Sequence, residues 1–139
     1  MSKVAIVYWS GTGNTAAMAG YVNMGVEAAG GQGEVMECNS FSAAKIADYD
    51  AIAFGCPAMG DEVLEETEFE PMFNECIGNL SGKKVALFGS YGWGTGAWME
   101  DWEQKTRSAG ANVTGICICN GAPDEEAADN LKALGGGLV

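Results

Sequence analysis

Apolar, β-branched-rich runs recur along this chain, each followed by a segment of helical spacing, and that alternation restricts the fold more than any other feature. Four runs are plain: Val4–Tyr8, Ala51–Phe54, Val85–Phe88 and Val113–Cys119. The first three are almost continuously hydrophobic, the pattern of strands covered on both faces. Glu34–Cys38 is a weaker fifth, entered through the turn Gly30-Gly31-Gln32-Gly33. Between the first two, Met18, Val22, Val26 and Ala29 form one face of a helix beginning near Asn14. Gly20 and Gly25 inside it cost about 1 kcal/mol each relative to Ala, so this helix needs tertiary support. A short helix is expected between the second and third strands. Pro71 is placed as a first helical residue, followed by the apolar stripe Met72, Phe73, Cys76, Ile77 and Leu80. Trp98, Trp102 and Ala109 mark another helix, ending near Gly110, and Asp124 is placed to cap a last one carrying Ala127, Ala128, Leu131 and Leu134.

Strand–helix alternation of this kind predicts an α/β fold, a parallel sheet with helices on both faces. In such folds ligands bind outside the carboxyl ends of the strands. The loops after the first, third, fourth and fifth runs are therefore the candidates. At 139 residues the chain is expected to form a single domain over 1–139, with no internal repeat or linker.

Charge narrows the partners. With 19 acidic and 7 basic residues and no histidine, the net charge is −12. Nothing in such a chain neutralises a nucleic-acid backbone or seeks an anionic membrane; it is steered toward basic protein surfaces instead. The five cysteines, Cys38, Cys56, Cys76, Cys117 and Cys119, include no C-x-x-C. They predict free, mostly buried thiols, a reducing cytoplasm and no metal site. No secretory leader pattern or membrane-length apolar run is visible.

The first candidate loop is Ser10-Gly11-Thr12-Gly13-Asn14-Thr15. It matches neither the P-loop nor the G-x-G-x-x-G spacing. It offers hydroxyl and amide side chains and two glycines where a strand gives way to a helix. That is a way to hold phosphate on backbone N–H groups without a positive side chain. The second loop, Pro57-Ala58-Met59-Gly60-Asp61-Glu62, leads into an acidic run that also contains Glu65, Glu66, Glu68 and Glu70. That run reads either as a solvated face or as a negative field beside a ligand. The third loop, Ser90-Tyr91-Gly92-Trp93-Gly94-Thr95-Gly96, holds two aromatics among three glycines, where an indole can lie flat against a planar ligand. Asn120, at the end of the fifth run, can join the same site.

Three blocks, in order, carry a family resemblance. They are Val7-Tyr8-Trp9-Ser10-Gly11-Thr12-Gly13-Asn14-Thr15, Gly55-Cys56-Pro57-Ala58-Met59-Gly60, and Lys83-Lys84-Val85-Ala86-Leu87-Phe88-Gly89-Ser90-Tyr91-Gly92-Trp93-Gly94. Through essentially its whole length the chain resembles the short-chain flavodoxins of anaerobic bacteria. The resemblance implies FMN as cofactor and a three-layer flavodoxin-like fold, with a five-stranded parallel sheet of order 2-1-3-4-5. It implies that Ser10, Thr12, Asn14 and Thr15, with N–H groups of their loop, hold the 5′-phosphate. Met59 and Trp93 would cover the two ring faces, next to Trp9, Pro57, Ala58 and Ser90. Gly60 would be the peptide that flips on one-electron reduction, with Asp61 beside it. Glu62 would sit near N3 of the ring, and Tyr91, Gly92 and Asn120 along the pyrimidine edge, next to Gly94.

The implied function is one-electron transport rather than catalysis, cycling mainly between a neutral semiquinone and an anionic hydroquinone. The semiquinone gains a hydrogen bond worth about 1 kcal/mol net, and the hydroquinone anion is disfavoured among carboxylates and a phosphate. Implied partners are ferredoxin- or flavodoxin-dependent oxidoreductases with basic docking patches, met by a monomer. Two other readings stay open on the residues alone, an FMN-dependent reductase and a non-redox phosphate-binding module. The chain departs from the family at Gly135-Gly136-Gly137, which is expected to leave a last helix of roughly ten residues with weakened packing.

Overall fold

The computed structural model describes residues 2–59, 62–92 and 94–139. The apolar runs become β1 (Lys3–Tyr8), β2 (Gln32–Glu37), β3 (Ala51–Gly55), β4 (Lys84–Tyr91) and β5 (Asn112–Asn120). They form one parallel sheet of order β2-β1-β3-β4-β5, the order implied by the resemblance. The helices are α1 (Asn14–Ala28), α2 (Phe69–Cys76), α3 (Ala97–Ser108) and α4 (Glu125–Gly136). Instead of the expected short helix, two 3-10 turns, Cys38–Ser40 and Ala43–Asp48, lead from β2 to β3.

Strand alternation sends neighbouring side chains to opposite faces. Ala5, Val7, Ile52, Phe54, Val85 and Leu87 pack in one cluster with Phe69 and Phe73 of α2 and Trp98 and Trp102 of α3. Val4, Ile6, Ala51, Ala53, Ala86 and Phe88 pack in the other with Met18 and Val22 of α1 and Leu131 of α4. All twelve strand residues named are 0% exposed, which is why β1, β3 and β4 read as unbroken hydrophobic runs. On the α2 side, Phe73 meets Phe54 edge-on at 5.1 Å and Trp102 at 5.6 Å.

Several element ends differ from the sequence expectation. Ser90, Tyr91 and Asn120 lie within strands, because β4–β5 pairing continues to Tyr91 opposite Asn120. Pro71 is the third residue of α2, not the first; the missing N–H costs nothing there, since the first four have no intrahelical acceptor. Asp124 caps α4 as expected, its Oδ1 accepting from Ala127 N at 2.8 Å.

The last helix is the clearest correction. It runs twelve residues and takes in Gly135 and Gly136. Gly135 is buried against α1, where a Cβ would lie 2.0 Å from the Val22 carbonyl oxygen. Opposite it, a Cβ on Gly25 would lie 1.9 Å from the Lys132 carbonyl oxygen. These glycines let the α1 and α4 backbones touch. They strengthen the packing that their composition alone argued against.

The five cysteines are free, and all but Cys119 are buried. Burial pushes the Cys38, Cys76 and Cys117 thiols up to about 11, and Cys56 higher still. No helix among the described residues is long and apolar enough to cross a membrane.

Candidate functional site

The carboxyl ends of β1, β3 and β4 open onto a hollow of about 250 Å³. Trp9, Gly11, Thr12 and Asn14 line it from the first loop, Pro57, Ala58 and Met59 from the second, and Ser90, Tyr91 and Gly92 from the third. Gly121 completes the lining; sequence reasoning missed it and named its neighbour Asn120 instead. Asn120 is exposed and lines an adjacent hollow shared with Tyr91. Strand pairing places Gly121 in the lining. Its N–H extends the β4–β5 ladder to Tyr91 O at 2.9 Å, and its carbonyl accepts from Ser90 Oγ at 2.7 Å.

The first loop is organised from within. Ser10 Oγ accepts from Gly13 N at 3.0 Å, so its oxygen braces the turn while its hydroxyl proton stays free to donate. Gly13 is the N-cap of α1 in the left-handed region, φ 97°, with no side-chain cap and no acid in the first turn. The helix therefore presents bare N–H groups and the positive end of its dipole toward the loop. Thr15, in that first turn, is 1% exposed, and its Oγ1 has no hydrogen-bond partner. A hydroxyl left so costs roughly 1–3 kcal/mol, a penalty removed by an acceptor arriving from the loop side. An anionic oxygen is the group that an uncapped helix start and an orphaned hydroxyl both favour.

The second loop is held by the sheet. Cys56 N donates to Phe88 O at 3.1 Å and Ala58 N to Ser90 O at 3.0 Å, so the chain stays alongside β4 after β3 ends. Met59 and Val63 then exchange backbone hydrogen bonds at 2.9 and 3.1 Å, closing a turn. Gly60 and Asp61 of that turn, and Trp93 of the third loop, lie outside the described residues. Glu62 is not part of the hollow's lining. Its Oε1 accepts from Thr95 N at 2.8 Å and Gly96 N at 2.9 Å. Gly94 carries no side chain that would collide with it, since a Cβ there would meet Glu62 Oε1 at 2.2 Å.

The acidic run is not uniform. Glu66 and Glu68 are exposed, whereas Glu65 is 5% exposed. One Glu65 oxygen accepts from Glu68 N at 2.7 Å and Phe69 N at 2.9 Å, the other from the Thr67 hydroxyl and from Thr67 N at 2.9 Å. Burial alone would raise this carboxyl. The hydrogen bonds from Thr67, Phe69 and Glu68 outweigh it and bring the pKa from 4.5 down to about 2. Glu65 is thus the ionised anchor of the α2 N-terminus, a role hidden within a charge run. Among the described residues, no group of three or more His, Cys, Asp or Glu is placed to hold a metal.

Hollow and loop together suit a phosphorylated planar ligand. The lining offers Trp9, Pro57, Ala58, Met59 and Tyr91 as apolar surface, and the loop offers hydroxyls and N–H groups at one end. The flavodoxin family model matches residues 6–134. The flavodoxin of Megasphaera elsdenii is 49% identical over 132 residues, 95% of each chain. That of Clostridium beijerinckii is 46% identical over 128 residues, 91% of this chain and 93% of the other. The solution structure of two-electron-reduced Megasphaera elsdenii flavodoxin superimposes with a TM-score of 0.91 at 48% identity, covering 97% of both chains.

Proposed function

The chain belongs to the flavodoxin family, whose members bind FMN and transfer electrons rather than act as enzymes, and on that premise we propose a low-potential carrier of single electrons. The flavin supplies the redox chemistry when bound, cycling mainly between its one-electron-reduced neutral and two-electron-reduced anionic forms. The observation that carries this reading is the buried, unpartnered Thr15 hydroxyl at the uncapped start of α1, beside a slot of apolar side chains. Ser10, Thr12, Asn14 and Thr15 hold the phosphate with the loop's N–H groups. Trp9, Pro57, Ala58, Met59, Ser90, Tyr91 and Gly92 cradle the ring. Gly60, Asp61 and Trp93 join them in this proposal. Titrating the cofactor-free chain with FMN and following two separated one-electron steps tests it. One-to-one binding and a strongly negative second step are expected; a single two-electron step overturns it.

Thr15→Val separates phosphate recognition from folding. Valine fills the same volume without leaving a hydroxyl unpaired. The Kd for FMN is expected to rise about 10- to 100-fold, as for loss of a hydrogen bond to a charged group. Binding of riboflavin, which lacks the phosphate, stays unchanged, and the unfolding midpoint of the cofactor-free protein does not fall. Equal losses for FMN and riboflavin would place Thr15 elsewhere in recognition.

The partners in this reading are oxidoreductases with basic patches, met in the cytoplasm by a monomer that is a single domain over 1–139. Glu66, Glu68 and Glu70 supply field without being structural anchors. Changing these three to Gln is expected to raise the second reduction potential by about 20 mV, the equivalent of roughly 0.5 kcal/mol at screened sites. Glu65 is excluded from that set because it holds α2. An unchanged potential in spectroelectrochemical titration would remove these acids from the account.

A further inference from the structure

One indole meets two walls of the hollow. Trp98 stands in the first turn of α3 and is 2% exposed. Its Nε1 donates to the Cys56 carbonyl oxygen at 3.3 Å, a buried bond between residues 42 apart in the chain. Cys56 follows β3 directly, is 0% exposed, and stands one residue before Pro57, where the wall supplied by the second loop begins. Tyr91, at the end of β4, belongs to the wall supplied by the third loop. Its ring packs on the same indole, with centroids 5.7 Å apart and planes inclined by 51°.

The sequence makes room for this contact at Gly89 of β4. A Cβ there would lie 2.2 Å from the Cys56 carbonyl oxygen and 3.1 Å from Trp98 Cζ2. The peptide that receives the bond is an unusual one. It joins Cys56 to Pro57, so it has no N–H, and its carbonyl is the one group by which a hydrogen bond can hold it. A buried carbonyl deprived of its donor costs roughly 1–3 kcal/mol. Immediately beyond it, Ala58 N donates to Ser90 O at 3.0 Å, and Met59 follows in the lining of the hollow. We propose that Trp98 is a positioning residue: its indole N–H fixes the Cys56–Pro57 peptide, its ring supports Tyr91, and the spacing of the two walls that receive the flavin ring is set through those two residues. The proposal rests on the flavin-carrier reading above.

Trp98→Phe keeps a ring against Tyr91 and removes the donor. In the cofactor-free protein, amide exchange at Ala58 is expected to accelerate about tenfold, with residues 4–7 of β1 still protected as evidence of folding. The Kd for FMN and the Kd for riboflavin should rise together, each about tenfold, because the walls hold the ring that the two share. Leu131→Ala is the comparison. It opens a cavity in the cluster on the other face of the sheet and lowers the unfolding midpoint, and it is expected to leave both Kd values unchanged. Unchanged Ala58 exchange in Trp98→Phe overturns the anchor. Weakened FMN binding with riboflavin binding intact, or comparable losses in Leu131→Ala, overturns the positioning role. Should Trp98→Phe fail to fold, the native chain decides by reciprocity. A bond that tightens FMN binding about tenfold is itself favoured about tenfold by FMN. FMN should therefore slow exchange of the Trp98 indole N–H by that factor, while the Asp50 N–H, paired with Lys3 O where β1 begins, keeps its rate. An indole rate indifferent to FMN overturns the proposal. A native chain that takes up no FMN instead overturns the proposed function, and Ala58 exchange in Trp98→Phe still decides the anchor.

Discussion

Gly25→Ala and Gly135→Ala are each expected to lower the stability of the cofactor-free protein by about 3 kcal/mol, roughly 10 °C in Tm. A methyl on Gly25 would sit 1.9 Å from the Lys132 carbonyl oxygen, and one on Gly135 would sit 2.0 Å from that of Val22. Neither obstacle is a flexible side chain. Each is the backbone of the facing helix, so relief requires α1 and α4 to separate along their shared face, loosening the contacts of Val22, Val26 and Leu131. Gly20 supplies the control. It is exposed on the same helix, and nothing lies within 4 Å of where its Cβ would be. Gly20→Ala should therefore gain about 1 kcal/mol from helix propensity alone. Urea unfolding of the three variants gives two losses and one gain. A neutral Gly25→Ala would mean that the helices do not meet at this point.

Glu65→Gln should cost about 3 kcal/mol at neutral pH, the free energy of a carboxyl brought from 4.5 to about 2. The amide offers one oxygen for one pair of donors, and turns its NH2 toward the other pair. Because the folded-state pKa lies below the unfolded one, the contribution is present in full above about 4.5. It is lost as pH falls toward about 2. The stability difference between native chain and variant, measured by urea unfolding at successive pH values, should thus hold from pH 7 to about 5. It should then narrow with acidification as the carboxyl becomes a neutral group like the amide. A difference independent of pH would assign the loss to packing instead of to the charge.

What the sequence makes legible follows from where each signal originates. β1, β3 and β4 are visible because burial on both faces leaves a one-dimensional trace of continuous hydrophobicity. Their ends are not, since pairing with a neighbour extends β4 to Tyr91 and β5 to Asn120. Gly25 and Gly20 look alike in sequence, and only the approach of Lys132 makes one a contact and the other a weakness. Glu65 and Glu66 are equally indistinguishable until four donors converge on one of them. Within the site, Gly11, Thr12 and Asn14 are legible because a strand–turn–helix phosphate loop is local in the chain. Gly121 and the partners of Glu62 are not, because they are set by which loops lie side by side.

The elevated thiol pKa values have an electrochemical consequence. Thiolates, not thiols, react with disulfides and oxidants, and Cys38, Cys56, Cys76 and Cys117 are buried and held in the protonated form. These four thiols are therefore poor nucleophiles at neutral pH. None of the four offers a ready path to a cross-link or a sulfenic acid, which leaves the partly exposed Cys119 as the more accessible thiol.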